Sequence, residues 1–174
     1  SPYYDVWQKN GMKETLGSYL ISNDAGENIG ILNGELADHA AWCANLPLYR
    51  TYPDLVTDDG RYLVVSHNTL AKQWGNRDKV DVLPHIAKQF QGQVLWGTQY
   101  KHYDNKDIYN VTGHWAKQER AHYSRGTKVF CGARIHKYFA CVDGGCGYKN
   151  GKLWALDFPS MDTYSQPIID EVTC

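Results

Sequence analysis

Apolar and polar positions alternate differently in the two halves of the chain. In the first half, Thr15–Ser22 and Asn28–Asn33 read as short strands around Asn23-Asp24-Ala25-Gly26, a good turn sequence. Asp38 or His39 is a plausible N-cap, and Ala40–Leu48 is expected as a short helix that stops near Pro47. Tyr49–Gly60 reads as mostly loop and Tyr62–Ser66 as a strand. Asn68–Trp74 and Lys79–Gln91 read as helical. In the second of these, Val82, Ile86 and Phe90 recur at spacing four and make one apolar face, and Pro84 sits near its start, where proline is tolerated.

The second half changes period. Val94–Tyr100, Ile108–Thr112, Thr127–Ile135, His136–Val142 and Lys152–Asp157 read as strands, rich in Val, Tyr, Phe and Trp and separated by Gly or Asn. Within His136–Val142, Tyr138, Ala140 and Val142 share one face and Lys137, Phe139 and Cys141 the other. Asp143–Gly151 contains four glycines and is expected as a long hairpin loop, too long for a two-residue turn. Helices first and an antiparallel sheet after them make an α+β pattern, an N-terminal helical lobe on a C-terminal antiparallel sheet.

At 174 residues the chain is expected to be one domain, 1–174, with a core that needs no staples. A net charge of −1 speaks against a phosphate-tracking surface, so nucleic acid is not the expected partner. Thirteen Tyr and six Trp are read first as packing residues, and second as walls for an extended peptide. Five cysteines, Cys43, Cys131, Cys141, Cys146 and Cys174, do not close into pairs and contain no CxxC, so a reducing compartment is the simpler inference. His67, His85, His102, His114 and His122 show no metal-ligand spacing, and neither metal nor cofactor is expected. Asn110-Val111-Thr112 matches the glycosylation acceptor pattern, which matters only in a secreted chain. No apolar run approaches the roughly 18 residues of a membrane span, and no membrane partner is expected.

A cleft between a helical layer and a sheet suits cysteine-dependent acyl transfer. A cysteine at a helix N-terminus has its thiolate stabilised by the helix dipole, a strand histidine serves as base, and an acid on the next strand orients the imidazole. His136 opens one expected strand and Asp157 closes another; a hairpin between them sets the carboxylate beside the ring.

These residues carry a resemblance. His136-Lys137-Tyr138-Phe139-Ala140-Cys141-Val142 followed by Trp154-Ala155-Leu156-Asp157 resembles the His and Asp strands of the picornaviral leader protease. Ala37-Asp38-His39-Ala40-Ala41-Trp42 resembles the nucleophile segment of coronavirus papain-like proteases, and the compact form without a zinc finger is similar to that of toroviruses. The resemblance implies a compact papain-like fold and a cysteine endopeptidase of a viral polyprotein. Ala41 then stands at the nucleophile position as in a Cys→Ala form, with His136 as base and Asp157 as orienting acid. Trp42, Gly144 and Gly145 are then substrate-binding. The implied partners are polyprotein junctions and ubiquitin or ubiquitin-like modifiers, and the implied location is the host cytoplasm. Cys43 is the rival nucleophile, although two residues of helix turn a side chain by about 200°. Leu36 occupies the oxyanion position, where the families place Asn or Trp. A cysteine-dependent amidase or deamidase on the same fold and a non-enzymatic binding module remain as alternatives.

Overall fold

The computed structural model describes residues 5, 8–9, 11–97, 104–114, 118–120, 128–130, 132–146, 148 and 151–167. Cys131, Cys174, His102, His122 and Gly147 lie outside them. The chain contains both helices and strands and forms two compact units, Ser1–Pro47 and Leu48–Cys174.

In the first unit, helix α1 (Met12–Gly17) precedes a hairpin of β1 (Leu20–Ser22) and β2 (Asn28–Ile31), and helix α2 (Asn33–Ala44) follows. The hairpin turn forms where the sequence places it. The Asn23 side-chain oxygen accepts from the backbone N–H groups of Ala25 and Glu27 at 3.1 and 2.9 Å, and Gly26 takes the left-handed conformation with φ 77°. Thr15, expected in a strand, belongs to α1.

Helix α2 starts earlier than expected. It begins straight after β2, with Glu35 in its first turn, where a carboxylate complements the dipole. Asp38 and His39, expected at the N-cap, lie inside it. Its end is fixed at Asn45, whose backbone N–H and side-chain amide both donate to the Ala41 carbonyl, at 3.2 and 2.8 Å. Ala41 is therefore in the last turn of a helix, not the first.

The second unit is built on a five-stranded sheet of order β3-β4-β5-β9-β8, from β3 (Tyr49–Val56), β4 (Tyr62–Ser66), β5 (Ile108–Thr112), β8 (Arg134–Ile135) and β9 (Phe139–Cys141). Two further hairpins stand apart in hydrogen bonding: β6 (Gln118–Arg120) with β7 (Lys128–Phe130), and β10 (Lys152–Leu156) with β11 (Thr163–Pro167). Tyr49–Val56 is a strand rather than a loop because it lies at an edge. There Pro53 removes no bond from a central ladder, and the register shift between Tyr52 and Val56 absorbs it.

The expected antiparallel sheet is corrected at its centre. β4 pairs parallel with β5, and β5 parallel with β9; only β3 and β8 add antiparallel edges. The β4–β5 connection carries a 3₁₀ turn (Trp74–Lys79) and helix α3 (Pro84–Trp96), the kind of crossover that parallel neighbours need. β5 is buried on both faces, as parallel central strands usually are.

Helix α3 starts at Pro84, with the proline in its first turn. The apolar stripe continues past Phe90 to Val94, which lies in the helix and not in a strand. Val82 falls outside it and is 73% exposed. Phe90 and Val94 pack with Val64, Leu70, Trp74 and Ile108 into one buried cluster flanked by Leu48, Tyr49, Tyr62 and Val80. Tyr49 meets Trp74 and Phe90 edge-on at 5.4 and 5.8 Å between ring centroids. On the opposite face of the sheet, Tyr109 packs by Phe158 and donates its hydroxyl to the His136 carbonyl at 2.9 Å; burial pushes that phenol up to about 12. Among the described residues no helix is long and apolar enough to cross a membrane.

Candidate functional site

Three parallel strands end on the same side of the sheet, and each is followed within two residues by a titratable side chain. His67 comes immediately after β4, His114 two residues after β5, and Asp143 two residues after β9. Open sheets with parallel strands bind ligands at their carboxyl ends, where the loops diverge and the last backbone groups are unpaired.

The two histidines meet. His67 Nε2 and His114 Nδ1 share a hydrogen bond of 2.8 Å, one ring donating its N–H to the other's nitrogen, with ring centroids 4.6 Å apart and planes at 63°. The backbone holds them there: the Gly113 N–H donates to the His67 carbonyl at 3.0 Å, tying the two loops together next to the rings. His114 has φ 69°, a left-handed conformation that costs a β-carbon residue energy and is found where surrounding structure imposes it. His67 is exposed and His114 half-buried.

Burial, followed by the nearby His67, lowers the His114 pKa below its ordinary 6.5, while the Asp143 charge opposes them. The imidazole is therefore neutral at pH 7, the form that can accept a proton or ligate a metal. Between the lowered value and 6.5 the folded chain binds fewer protons at His114 than the unfolded chain does, so stability rises with pH through that window and is lost on acidification. In chelator-treated protein, the melting temperature should fall as pH drops from 7 toward 5, and His114→Gln should remove part of that fall. Equal slopes for the two proteins would rule the effect out.

Asp143 is held by its own loop. Its Oδ1 accepts from the Gly145 N–H at 2.9 Å, and Gly145 takes φ 68°. Gly144 lies against Trp154, where a β-carbon would overlap the indole and crowd the Lys152 carbonyl. These glycines let the loop after β9 lie close across β10, with Lys152 N–H donating to Gly144 O at 3.1 Å.

The residues of the expected triad have other surroundings. Ala41 is in the last turn of α2, where the negative end of the dipole would disfavour a thiolate, and Trp42 is 65% exposed. His136 lies between β8 and β9, its ring stacked on Phe139 at 4.5 Å between centroids and its backbone N–H donated to the Phe139 carbonyl. Asp157 is in the β10–β11 turn: it donates its N–H to Asp162 O and accepts the Ser160 hydroxyl at 3.0 Å. The expected hairpin between the His136 and Asp157 strands is replaced by other pairings, β9 with β5 and β8, and β10 with β11. The reason is burial and length: β9 is a fully buried three-residue strand that needs a neighbour on each side, whereas Thr163–Pro167 matches all five residues of β10.

Cys43 and Cys146 are exposed thiols, and Cys141 is buried, accepting from Arg134 Nη2 at 3.0 Å and donating to Gly113 O at 3.6 Å. The acceptor pattern at Asn110 is fully buried in the central strand and out of reach of a glycosylating enzyme as folded. Among the described residues no group of three or more His, Cys, Asp or Glu side chains is gathered closely enough to hold a metal ion. The site is a histidine pair with an acid nearby.

Reading histidine spacing along the chain missed this pair. The signal was positional: Ser66-His67 and Thr112-Gly113-His114 each put an imidazole just beyond a strong strand segment. Comparison of the chain with protein-family models, curated proteins and solved structures finds no match.

Proposed function

We propose that this protein is a divalent-metal-dependent hydrolase of phosphate esters or anhydrides, with His67 and His114 as metal ligands. The observation that carries the proposal is the 2.8 Å separation of two imidazole nitrogens at the carboxyl ends of adjacent parallel strands. The two rings share a hydrogen bond in the structure, so a metal would have to displace that proton and turn both rings; two nitrogens each about 2.1 Å from one metal at right angles stand about 3 Å apart, a spacing the pair could reach by rotation alone. Imidazole suits Zn²⁺, Fe²⁺, Co²⁺ and, with oxygen ligands beside it, Mn²⁺.

Two neutral imidazoles, His67 and His114, would neutralise none of a bound divalent ion's charge. Anionic oxygens complement such a charge best, which favours a phosphate ester over a neutral amide. A metal held by His67 and His114 would supply Lewis-acid polarisation of a phosphoryl oxygen and a more acidic bound water. Asp143, whose charge acts on His114, is an acid at this end of the sheet among the described residues and would be a candidate general base.

The test is hydrolysis of p-nitrophenyl phosphate and bis(p-nitrophenyl) phosphate by chelator-treated protein with Mn²⁺, Co²⁺ or Zn²⁺ restored. Activity that appears only with metal supports the proposal; no turnover with any of the three metals, by a protein that remains folded, ends it.

Cysteine endopeptidase chemistry, with polyprotein junctions or ubiquitin-like tails as substrates, keeps the support of the sequence resemblance at Ala41, Trp42, His136 and Asp157. It must do without paired His and Asp strands and without a helix N-terminus beneath position 41. A fluorogenic peptide ending in Gly-Gly distinguishes the two. The metal reading expects no cleavage by the protein or by Ala41→Cys; cleavage by Ala41→Cys that His136→Ala abolishes would establish the protease instead.

A further inference from the structure

A second set of titratable side chains gathers in the first unit, around the C-terminal half of α2. Tyr19 precedes β1 and extends its ladder: the Leu32 N–H donates to the Tyr19 carbonyl at 2.9 Å, one residue before α2 begins. That bond brings the Tyr19 ring to the helix. Its hydroxyl and His39 Nδ1 share a hydrogen bond of 2.7 Å, with the two rings edge-on at 5.7 Å between centroids. The contact holds the imidazole by one nitrogen and leaves Nε2 on the far side of the ring.

Cys43 lies one turn further along α2, four residues after His39, and both side chains are exposed. Residues at this spacing share a helix face, with β-carbons about 5–6 Å apart. The rotamers favoured in helices lean a side chain back over the preceding turn, which for Cys43 is the turn of His39. The sulfur makes no hydrogen bond to the ring at rest, and rotation about its Cα–Cβ bond brings the two within reach. Nucleophile–base pairs are often this loose before a substrate arrives.

Nucleophile, base and orienting group together make the arrangement that activates a thiol. The helix itself gives no help. Cys43 is in the last turn, where the dipole does not favour a thiolate, so the proton must pass to a base as the new bond forms. Acyl transfer needs N–H donors preorganised for an oxyanion, and those of a helix interior are bonded to the preceding turn. Attack on a disulfide needs no such donors, and an exposed thiol beside a histidine suits it.

We infer that Cys43 is a site of reversible thiol–disulfide exchange with low-molecular-weight disulfides, with His39 as its base and Tyr19 as the positioning residue that orients His39. The Cys43 S–H proton passes to His39 Nε2, in the tautomer whose Nδ1–H is donated to the Tyr19 oxygen. The Cys43 sulfur bonds to one sulfur of the disulfide. The old S–S bond breaks, and its electron pair leaves on the second sulfur, which takes the proton from His39. One thiol and one disulfide are consumed, and one mixed disulfide and one thiol are formed. The inference stands whether or not His67 and His114 bind a metal.

The experiment uses the full chain, reduced and freed of reductant, with 2-hydroxyethyl disulfide, which is small and uncharged. Mixed-disulfide formation at pH 7 is followed at each cysteine by peptide mass spectrometry, so that Cys146, also an exposed thiol, is compared in the same molecule. Cys43 should react about tenfold faster than Cys146, below the roughly 10²- to 10⁴-fold of an enclosed base because the site is open to water. His39→Gln should bring Cys43 down to the Cys146 rate; glutamine favours helix at least as well as histidine, so α2 should persist. Tyr19→Phe should slow Cys43 by a smaller factor and shift the His39 ring ¹⁵N signals, with the Cys146 rate unchanged in both variants. The inference is overturned if Cys43 reacts no faster than Cys146, or if it keeps its rate in His39→Gln. Should His39→Gln lose helical ellipticity, Tyr19→Phe decides, and an unchanged Cys43 rate there overturns the inference.

Discussion

Replacing His67 with alanine should lower metal-dependent phosphatase activity by at least about 100-fold, because loss of a direct ligand should exceed the 10- to 100-fold typical of outer partners. The fold should hardly notice. His67 is exposed, and its backbone carbonyl, which accepts the Gly113 N–H, is untouched by the change. A melting temperature within a few degrees of wild type, beside the lost activity, would separate ligation from stability. His114 needs a different substitution. Its φ of 69° penalises alanine, whereas asparagine visits that region readily, so His114→Asn removes the imidazole with less backbone strain. His114→Asn should match His67→Ala in activity loss, and the double variant should lose little more, since one missing ligand already opens the site. Full activity in either single variant would show that the histidine pair is not the metal site.

Phe90→Ala should be the most damaging single change to stability, at about 3–5 kcal/mol. Phe90 is buried among Val64, Leu70, Trp74, Val94 and Ile108, and its ring supports Tyr49 edge-on, so a large cavity would open where helix α3 meets the sheet. For a unit of this size that corresponds to a fall on the order of 15 °C in melting temperature. Val82→Ala is the matched control. It belongs to the same spacing-four repeat, but Val82 is 73% exposed and precedes the helix, so its loss should stay within about 0.5 kcal/mol. Urea titrations of the two variants measure both. Equal losses would mean that the helix starts near Lys79 and buries Val82.

Several elements were legible from local pattern. Tyr62–Ser66 and Ile108–Thr112 are strands because β-branched and aromatic residues cluster there between polar breaks. Asn23–Gly26 turns because the Asn23 side chain accepts from the Ala25 and Glu27 N–H groups and Gly26 takes φ 77°. Phe90 points inward because the apolar repeat runs along one face. Other boundaries moved for reasons that composition hides. α2 begins at Asn33 because the chain leaves β2 directly into helix, and so a segment read as a helix N-terminus ends up at the other end of the dipole. β3 is a strand in spite of Pro53 because the sheet edge tolerates it.

By itself the sequence determined which stretches prefer strand or helix, which side chains prefer burial, and that His67 and His114 each follow a strand-forming run. Tertiary structure alone decided which strands pair and in which sense. Side chains alternate with period two in parallel and antiparallel strands alike, and a run buried on both faces, as in β5, shows that a strand is central without showing which strand lies beside it. The long crossover through α3 sets β4 and β5 parallel, the burial of β9 draws it between β5 and β8, and Thr163–Pro167 takes β10. Parallel pairing then brings the ends of β4 and β5 to the same edge, and with them two imidazoles separated by 46 residues of chain, whereas antiparallel pairing would have sent them to opposite edges.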